Sequence, residues 1–507
     1  MNVGEWIQKR AFTRPGDIFL QEEHRVYNNI RFNERVNRTG NALLHAGIAK
    51  GDRVAVLMGN SSEFLEIFFA CAKIGAILVP LNYKLAVPEL SYILRDAEPS
   101  VLIYATGFGN QVQTLKTAGL IIPRYLCHGE NELDGNPAFA EVVKRHPAME
   151  PEANDNVDMK DPLVIIYTAG TTGIPKGAVL THENILFGAV HSLLGYGINR
   201  TYKSLVVAPL YHIGALAASV TPIVYAGGSL IISSFNNASK ILAMICEEKI
   251  NYMFAVPVMF QLMTESKLWK EADLSHVHFF ISGGASIPLS VIRKYQEEKG
   301  IGFVQGYALT ETGRLTSLDL DDALSKAGSV GKEVFHVTLR IVDEQGQDLP
   351  PNEPGEIIVR GPNVCRGYWR NEPLTQAAFR GGWFYTGDMG RRDDEGFLHI
   401  IGRKIEMIIS SGENIYPAEV ERVIQALPQV REAVVMGIPD LRRGEAVVAF
   451  VILHSGERMS KNELLNALQG EIAPYKMPRQ VFFVDDFPRN PAGKVIKRDL
   501  KKRFEMP

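Results

Sequence analysis

Short apolar runs alternate with segments of helical spacing through the first half of the chain. Arg53-Val54-Ala55-Val56-Leu57-Met58 reads as a strand. Ser61 and Ser62 can cap a helix over Glu63-Phe64-Leu65-Glu66-Ile67-Phe68-Phe69-Ala70, and Gly75 closes it. Ala76-Ile77-Leu78-Val79-Pro80 is a second strand, followed by a helix over 88–96 and a strand over 100–104. Leu163-Val164-Ile165-Ile166 is a further buried strand. The alternation then resumes: strand 204–208, helix 214–225, strand 229–232, helix 238–248, strand 252–256. Such a pattern predicts βαβ units, hence parallel strands with helices on their faces, and two α/β layers in one large N-terminal region.

From about Gly328 the texture changes. Val337-Thr338-Leu339-Arg340-Ile341-Val342 and Glu356-Ile357-Ile358-Val359-Arg360 are short strands between Gly, Pro and Asp turns, which predicts a small antiparallel sheet or barrel. A second break falls near Gly402-Arg403. Beyond it come helix 417–426, strands 431–438 and 445–453, helix 461–472 and strand 480–484, the elements of a compact α+β domain. The stretch from Arg489 to Arg503 is basic and polar. The expected organisation is an N-terminal domain over 1–402, with its β-rich part at about 328–400, and a small C-terminal domain over 403–507.

Composition narrows the function classes. A chain of 507 residues has room for about three or four domains. Its 46% hydrophobic and 22% charged content is that of a soluble globular protein. A net charge of −3 argues against a nucleic-acid partner. Cys71, Cys127, Cys246 and Cys365 are widely spaced, which suggests neither a disulfide framework nor a zinc site and fits a reducing cytoplasm. The N-terminus shows no apolar run of a signal peptide. The interval 204–239 lacks Asp, Glu, Lys and Arg, but Pro209, His212, Pro222, Gly227 and Gly228 interrupt it, so it reads as buried strand, helix and strand rather than a membrane span.

The densest chemistry lies in Tyr167-Thr168-Ala169-Gly170-Thr171-Thr172-Gly173-Ile174-Pro175-Lys176-Gly177. Three glycines, three threonines and one lysine fall within eleven residues, a loop able to turn N–H groups and hydroxyls toward an anion. A generic glycine turn is the plain alternative. It is not a Walker A loop, which needs Gly-Lys followed by Ser or Thr. Ser282-Gly283-Gly284-Ala285 follows an apolar strand, where an open parallel sheet places ligands, although a tight turn would look the same. Gln305-Gly306-Tyr307-Ala308-Leu309-Thr310-Glu311-Thr312-Gly313 offers an aromatic face for a base and a carboxylate for Mg2+ beside phosphates. Asp388, after a glycine turn, could accept both hydroxyls of a ribose. Arg403 opens the last domain, Ser410-Ser411-Gly412 begins another glycine loop, and Lys494 sits in Asn490-Pro491-Ala492-Gly493-Lys494. Singly, each of these also fits an ordinary turn or a solvated charge.

Taken in order, the segments resemble the adenylate-forming superfamily, specifically its acyl-CoA synthetases. The resemblance covers nearly the whole chain and is densest at 167–177, 305–313, 382–421 and 474–500. It implies a large N-terminal domain of two α/β sheets plus a β-barrel, then a small mobile α+β domain. It also implies a two-step reaction. A carboxylate attacks the α-phosphate of ATP to give acyl-AMP and pyrophosphate; a thiol then attacks the acyl carbon and releases AMP. A free carboxylate repels nucleophiles and has a poor leaving group, so the enzyme's work is positioning and charge neutralisation.

By this resemblance Thr168, Gly170, Thr171, Thr172, Gly173 and Lys176 hold the β- and γ-phosphates. Gly283, Gly284, Ala285 and Tyr307 flank the adenine, and Gln305 and Gly306 join the cofactor-binding residues. Thr310 touches the α-phosphate region and Glu311 helps hold Mg2+. Asp388 and Arg403 bind the ribose. Lys494 acts in the adenylation step and the 410–417 loop, with Gly412, in the thioester step, the small domain rotating between them. His212 joins the catalytic candidates from the acid pocket. Two departures stand out: Ala169 where relatives usually have Ser, and Ile405-Glu406 where they commonly have Lys-Asp or Asp-Asp.

The expected substrates are ATP, coenzyme A and a small carboxylic acid, with Mg2+ as cofactor and a homodimer as a candidate assembly. The acid pocket is expected near Tyr211-His212-Ile213-Gly214, Val256-Pro257, Gly283 and Gly306-Tyr307-Ala308. Those residues are mostly apolar and include no Arg or Lys, which predicts a monocarboxylic acid, fatty, cyclic or aromatic. Two other readings are a stand-alone adenylation enzyme that loads a carrier protein and a non-catalytic nucleotide-binding regulator. The first is disfavoured because no carrier-like segment follows Lys494, the second because Lys494, Glu311 and Asp388 are all present.

Overall fold

Every one of the thirteen residues of helix Ser62–Ile74 is buried, charged ones included. A helix apolar nearly all round must sit inside the protein, and its three charges are compensated there. Lys73 Nζ donates to Asn33, Asn37 and Glu150. Glu66 accepts from Thr39 and Arg35, and burial pushes its pKa up to about 7. Ser61 caps the helix by accepting from the Phe64 N–H, and Gly75 ends it in the left-handed region at φ +76°.

The protein is described by a computed structural model covering residues 2–129, 135–152, 157–169, 175–285, 287–410, 413–440, 444–469, 471–472, 474–490 and 493–504. It divides into two compact units. The first comprises Met1–Leu339 and Val359–Phe384, the second Arg340–Ile358 and Tyr385–Pro507.

The first unit holds two seven-stranded sheets. In one, Tyr125–His128, Val101–Ala105, Arg53–Leu57, Ile77–Pro80 and Pro162–Ala169 run parallel, and Pro175–Thr181 and Gly367–Tyr368 are added antiparallel. In the other, Phe303–Val304, Phe279–Ser282, Tyr252–Ala255, Lys203–Val206, Ser229–Ile232 and Ile18–Glu22 run parallel, with Arg25–Asn28 antiparallel at the edge. One core joins them: Val54, Leu78 and Val164 from the first sheet pack in the same cluster as Val206, Leu230 and Tyr252 from the second. The strands and helices read from periodicity are present to within a few residues.

One segment differs from the expectation. The helix read over 214–225 is wound as a π-helical segment, Ala215–Val220, before an α-helix, Thr221–Ala226; π-turns of this kind often mark functional sites. The glycine-rich loop also has a setting that the periodicity left open. Pro162–Ala169 and Pro175–Thr181 pair antiparallel, so the strands on either side of the glycine-rich stretch form a hairpin.

In the second unit, Val430–Asp440 and Gly444–Leu453 pair antiparallel and Gln480–Phe483 adds parallel to the latter. Their side chains alternate between two faces. One face packs Val420, Ile424, Leu464 and Leu468 from helices Pro417–Gln425 and Lys461–Leu468. The other packs Leu500 of helix Lys497–Arg503. That helix lies in the stretch read only as basic and polar; Leu500 is its buried anchor. Trp383–Arg392 and Leu398–Arg403 form an antiparallel pair that sets Asp388 opposite Arg403. Among the described residues no helix is long and apolar enough to cross a membrane.

Candidate active site

The hairpin places Lys176 opposite Thr168 and Gly177 opposite Tyr167. A Cβ at Gly177 would come within 2.7 Å of Ile165 Cγ2 and 3.1 Å of Tyr167 Cζ, so only glycine fits there. Gly367–Tyr368 pairs with the same strand, with Tyr368 opposite Ala178. This edge pairing aims Tyr368 at the lysine. Lys176 Nζ donates to the Tyr368 hydroxyl at 2.8 Å, and that hydroxyl donates to Glu311 Oε1 at 2.9 Å. Lys176 Nζ itself lies 3.0 Å from the same carboxylate oxygen.

Glu311 reaches this point from a different element. Ala308–Leu309 and Gly313–Arg314 pair antiparallel, which puts Thr310, Glu311 and Thr312 at a hairpin tip just beyond the parallel strand Phe303–Val304. The segment before Tyr368 fastens it. Cys365 N donates to Glu311 O at 2.6 Å, and Asn363 Nδ2 donates to Thr312 O at 2.7 Å and Arg314 O at 3.1 Å. Glu311 is buried, at 7% exposure, while Thr310 is partly exposed. Buried charges require partners, and here Lys176 and Tyr368 supply them.

Gly283 and Gly284 follow the parallel strand Phe279–Ser282. Gly283 is closed to any side chain, since a Cβ would lie 2.7 Å from Phe254 Cε2. Gly284 adopts φ +82°. Gly306 is equally constrained: a Cβ would lie 2.4 Å from the Thr316 carbonyl oxygen. Gln305 and Leu318 bridge through their backbones, and Tyr307 is buried with its N–H donating to Thr316 Oγ1. Ala285 is exposed.

Four buried polar atoms in this region have no hydrogen-bond partner among the described residues: Thr168 Oγ1, Tyr211 OH, His212 Nε2 and Ser282 Oγ. Each unmet buried group costs about 1–3 kcal/mol, a deficit that a polar ligand or water would relieve. Burial, with a smaller contribution from Lys84, lowers the His212 pKa to about 4, so its imidazole is neutral near pH 7. It packs at 4.5 Å against the Tyr211 ring.

The second unit carries the other candidates. Arg403 Nε lies 2.7 Å from Asp388 Oδ1, and the Asp388 side chain is only 6% exposed. Asp388 N donates to Thr386 Oγ1, which itself donates to Ile357 O. Lys494 is exposed on a tight turn closed by Gly493 at φ +81°, where Lys494 N donates to Asn490 Oδ1. Glu406 lies 2.9 Å from Lys497 Nζ. Burial alone would raise its pKa, but Lys497 and, more weakly, Lys494 and Arg403 hold it below the usual carboxylate value. Gly170, Thr171, Thr172, Gly173 and Gly412 lie outside the described residues.

Residues 7–369 match the AMP-binding enzyme family and 419–494 match the AMP-binding enzyme C-terminal domain. The chain belongs to this family, the adenylate-forming enzymes, within its acyl-CoA synthetases. It is 36% identical to a feruloyl-CoA synthase from Amycolatopsis sp, with 99% of each chain covered. It is 37% identical to an indoleacetate–CoA ligase from Aromatoleum aromaticum, covering 99% of this chain and 98% of that one. Among solved structures, ATP-bound MatB from Rhodopseudomonas palustris matches with a TM-score of 0.90 and 30% identity, over 100% of this chain and 99% of that one. The o-succinylbenzoate CoA synthetase from Bacillus subtilis, solved with its acyl-adenylate intermediate, matches with a TM-score of 0.86 and 31% identity, over 98% of both chains. The α/β class with a smaller α+β part, read from periodicity, agrees with these structures.

This adenylate-forming enzyme brings Lys176 and Glu311 together in its first unit and Asp388 and Arg403 together in its second. Local reading of the sequence missed Tyr368 and Asn363. Gly367-Tyr368-Trp369 carries no signal that separates it from core aromatics, because its partners arrive through tertiary structure.

Proposed function

We propose that the chain is an ATP-dependent acid–CoA ligase that activates an aromatic, cyclic or fatty acid as its acyl-AMP and then transfers the acyl group to coenzyme A. The observation that carries this reading is the Lys176–Tyr368–Glu311 cluster beside the glycine hairpin. A cation and a carboxylate held together at a phosphate loop suit the two charges that an ATP complex brings, phosphate oxygens and the cation that accompanies them. The relatives named for feruloyl, indoleacetate and long-chain fatty acyl groups support an acid of this range.

In the first half-reaction the acid's carboxylate oxygen attacks the α-phosphorus and pyrophosphate leaves. Lys176, with the loop threonines, neutralises the departing β- and γ-phosphates. Thr310 lies one residue from Glu311 at the hairpin tip and is assigned to the α-phosphate. Lys494 is assigned to the charge that develops on the carboxylate and α-phosphate. Gly283 and Gly306, packed close against Phe254 and Thr316, are assigned to the walls of the nucleotide and acid sites, and Asp388, oriented by Arg403, accepts the ribose hydroxyls. In the second half-reaction the thiolate attacks the acyl carbon and AMP leaves. The neutral His212 orients the acid by hydrogen bonding without adding charge.

Glu311 is the residue proposed to hold Mg2+. A single carboxylate beside phosphate oxygens and water is a donor set this cation accepts. The bound ion would supply charge neutralisation on the phosphates. A domain boundary at 402/403 and a cytoplasmic setting, which suits the free thiols of Cys71, Cys127, Cys246 and Cys365, complete the proposal.

The test is a product assay in two stages. ATP and acid without CoA should give pyrophosphate and enzyme-bound acyl-AMP, and CoA should then release AMP and acyl-CoA. ADP and phosphate as products would overturn the reading. Acyl transfer to a carrier protein but not to CoA would replace the acceptor.

A further inference from the structure

The pocket residues read from local sequence contain no cation, yet the fold sets one beside them. Ala308, one of those residues, is the direct antiparallel partner of Arg314, and directly opposed residues send their side chains to the same face. Arg314 Nε donates weakly to Thr316 O at 3.3 Å. Its Nη1 and Nη2 are buried and have no hydrogen-bond partner among the described residues. The guanidinium carbon sits 3.6 Å from the centroid of the Tyr196 ring. Gly195 leaves room for it, since a Cβ there would come within 3.3 Å of Nη2.

Among the described residues no carboxylate pairs with Arg314. The carboxylate that acts on Arg314 is Asp319, an exposed residue that accepts from Ser317. Burial holds the Arg314 pKa below the ordinary arginine value, although a guanidinium stays protonated. An unpaired buried cation is expensive. The same layer of the first unit holds further unmet polar atoms: both ring nitrogens of His191 on helix His182–Tyr196, and Ser219 Oγ on the π-helical segment Ala215–Val220. Arg314 acts electrostatically on His191, and the Ser219 segment begins immediately after Tyr211-His212-Ile213-Gly214 of the proposed acid pocket.

We propose that Arg314 is a specificity residue that binds an oxygen acceptor at the end of the acyl group remote from the reacting carboxylate. The preferred acids then carry a carbonyl or carboxylate oxygen at that end rather than a bare hydrocarbon terminus. This rests on the acid–CoA ligase reading and sharpens its substrate class. Tyr196 and Gly195 hold the fork in place, and Ser219 and His191 offer further contacts.

The experiment compares near-isosteric acids. The aromatic set is para-isopropyl-, para-acetyl- and para-carboxybenzoate, and the aliphatic set is nonanoate and azelate. The readout is the ratio of kcat/KM for the oxygen-bearing acid over the hydrocarbon acid, in wild type, Arg314→Met and Arg314→Lys. A ratio within one preparation cancels any loss of folded protein. Wild type should favour the oxygen-bearing member in at least one set. Arg314→Met should lower that ratio about 10- to 100-fold, the scale of a lost hydrogen bond to a charged group. Arg314→Lys should restore part of it. The acetyl and carboxyl arms separate a neutral acceptor from an anionic one. Hydrocarbon acids favoured in both sets by wild type, or a ratio unchanged in Arg314→Met, would overturn the assignment while leaving the ligase reading intact. No turnover of any acid would overturn both.

Discussion

Lys176 Nζ lies 3.0 Å from Glu311 Oε1, and the Tyr368 hydroxyl bridges the same two groups. One residue comes from the glycine hairpin and the other from the tip beyond a parallel strand in the second sheet. The phosphate-loop lysine is therefore already paired, and an incoming nucleotide must share it with the carboxylate.

Tyr368→Phe tests the bridge. The ring and its edge pairing remain while the shared hydroxyl is lost. With one charge-assisted hydrogen bond worth about 1.5–3 kcal/mol, kcat/KM for ATP should fall about tenfold or more, with little change in Tm. Isothermal titration with ATP and steady-state kinetics check this. Unchanged ATP kinetics would make Tyr368 a packing residue only.

The Asp388–Arg403 contact of 2.7 Å predicts strong coupling in nucleotide binding. Asp388→Asn and Arg403→Gln should each weaken AMP binding about 10- to 100-fold, and the double substitution should cost less than the two effects combined. Calorimetry with AMP measures all four corners of the cycle. Lower Tm with unaltered AMP affinity in Asp388→Asn would remove this pair from the ribose site.

Three histidines set an acid limit to stability. Burial is the largest cause that lowers His182, His191 and His212 to about 4 from the ordinary 6.5. They are neutral in the fold and become charged in the unfolded chain below pH 6.5. Their stabilisation is therefore complete above pH 6.5 and is lost as pH falls toward 4. Glu66, raised to about 7, opposes this with the reverse sign, losing stability as pH rises toward 7. Three groups outweigh one, so Tm should drop between pH 6.5 and 4. His182 Nδ1 accepts from Val3 N, and His182→Gln should reduce proton uptake on unfolding in that window by about one. A Tm flat across the window would contradict this account.

Lys494→Ala separates the half-reactions. Acyl-AMP formation should fall about 100-fold or more, the scale of removing a preorganised charge from a transition state. Thioester formation from supplied acyl-AMP should change little. Equal loss of both would remove Lys494 from the adenylation step.

The parts of the fold legible in the sequence are those fixed locally. The Ser61 cap, the Gly75 stop and the period-two faces of Val430–Asp440 depend on neighbours within a few residues. The family motifs likewise pointed to Lys176, Glu311, Asp388 and Arg403, which the fold brings together in pairs. What stayed hidden depends on distant chain. Tyr368 looks like any core aromatic until an edge pairing aims it at Lys176. Arg314 looks like a surface charge until Gly195 and Tyr196 enclose it. The helix 214–225 was visible in apolar spacing, but its π-winding was not, because side-chain periodicity barely distinguishes the two windings over one turn.

The most direct test of the central claim follows oxygen. In the proposed reaction the acid's own carboxylate oxygen attacks the α-phosphorus, and that oxygen leaves with AMP when the thiol takes the acyl group. Turnover of an acid with an 18O-labelled carboxylate, in the presence of ATP and CoA, should place one labelled oxygen in the AMP phosphate, as mass spectrometry would read. Label in inorganic phosphate with ADP as co-product, or unlabelled AMP, would contradict the account.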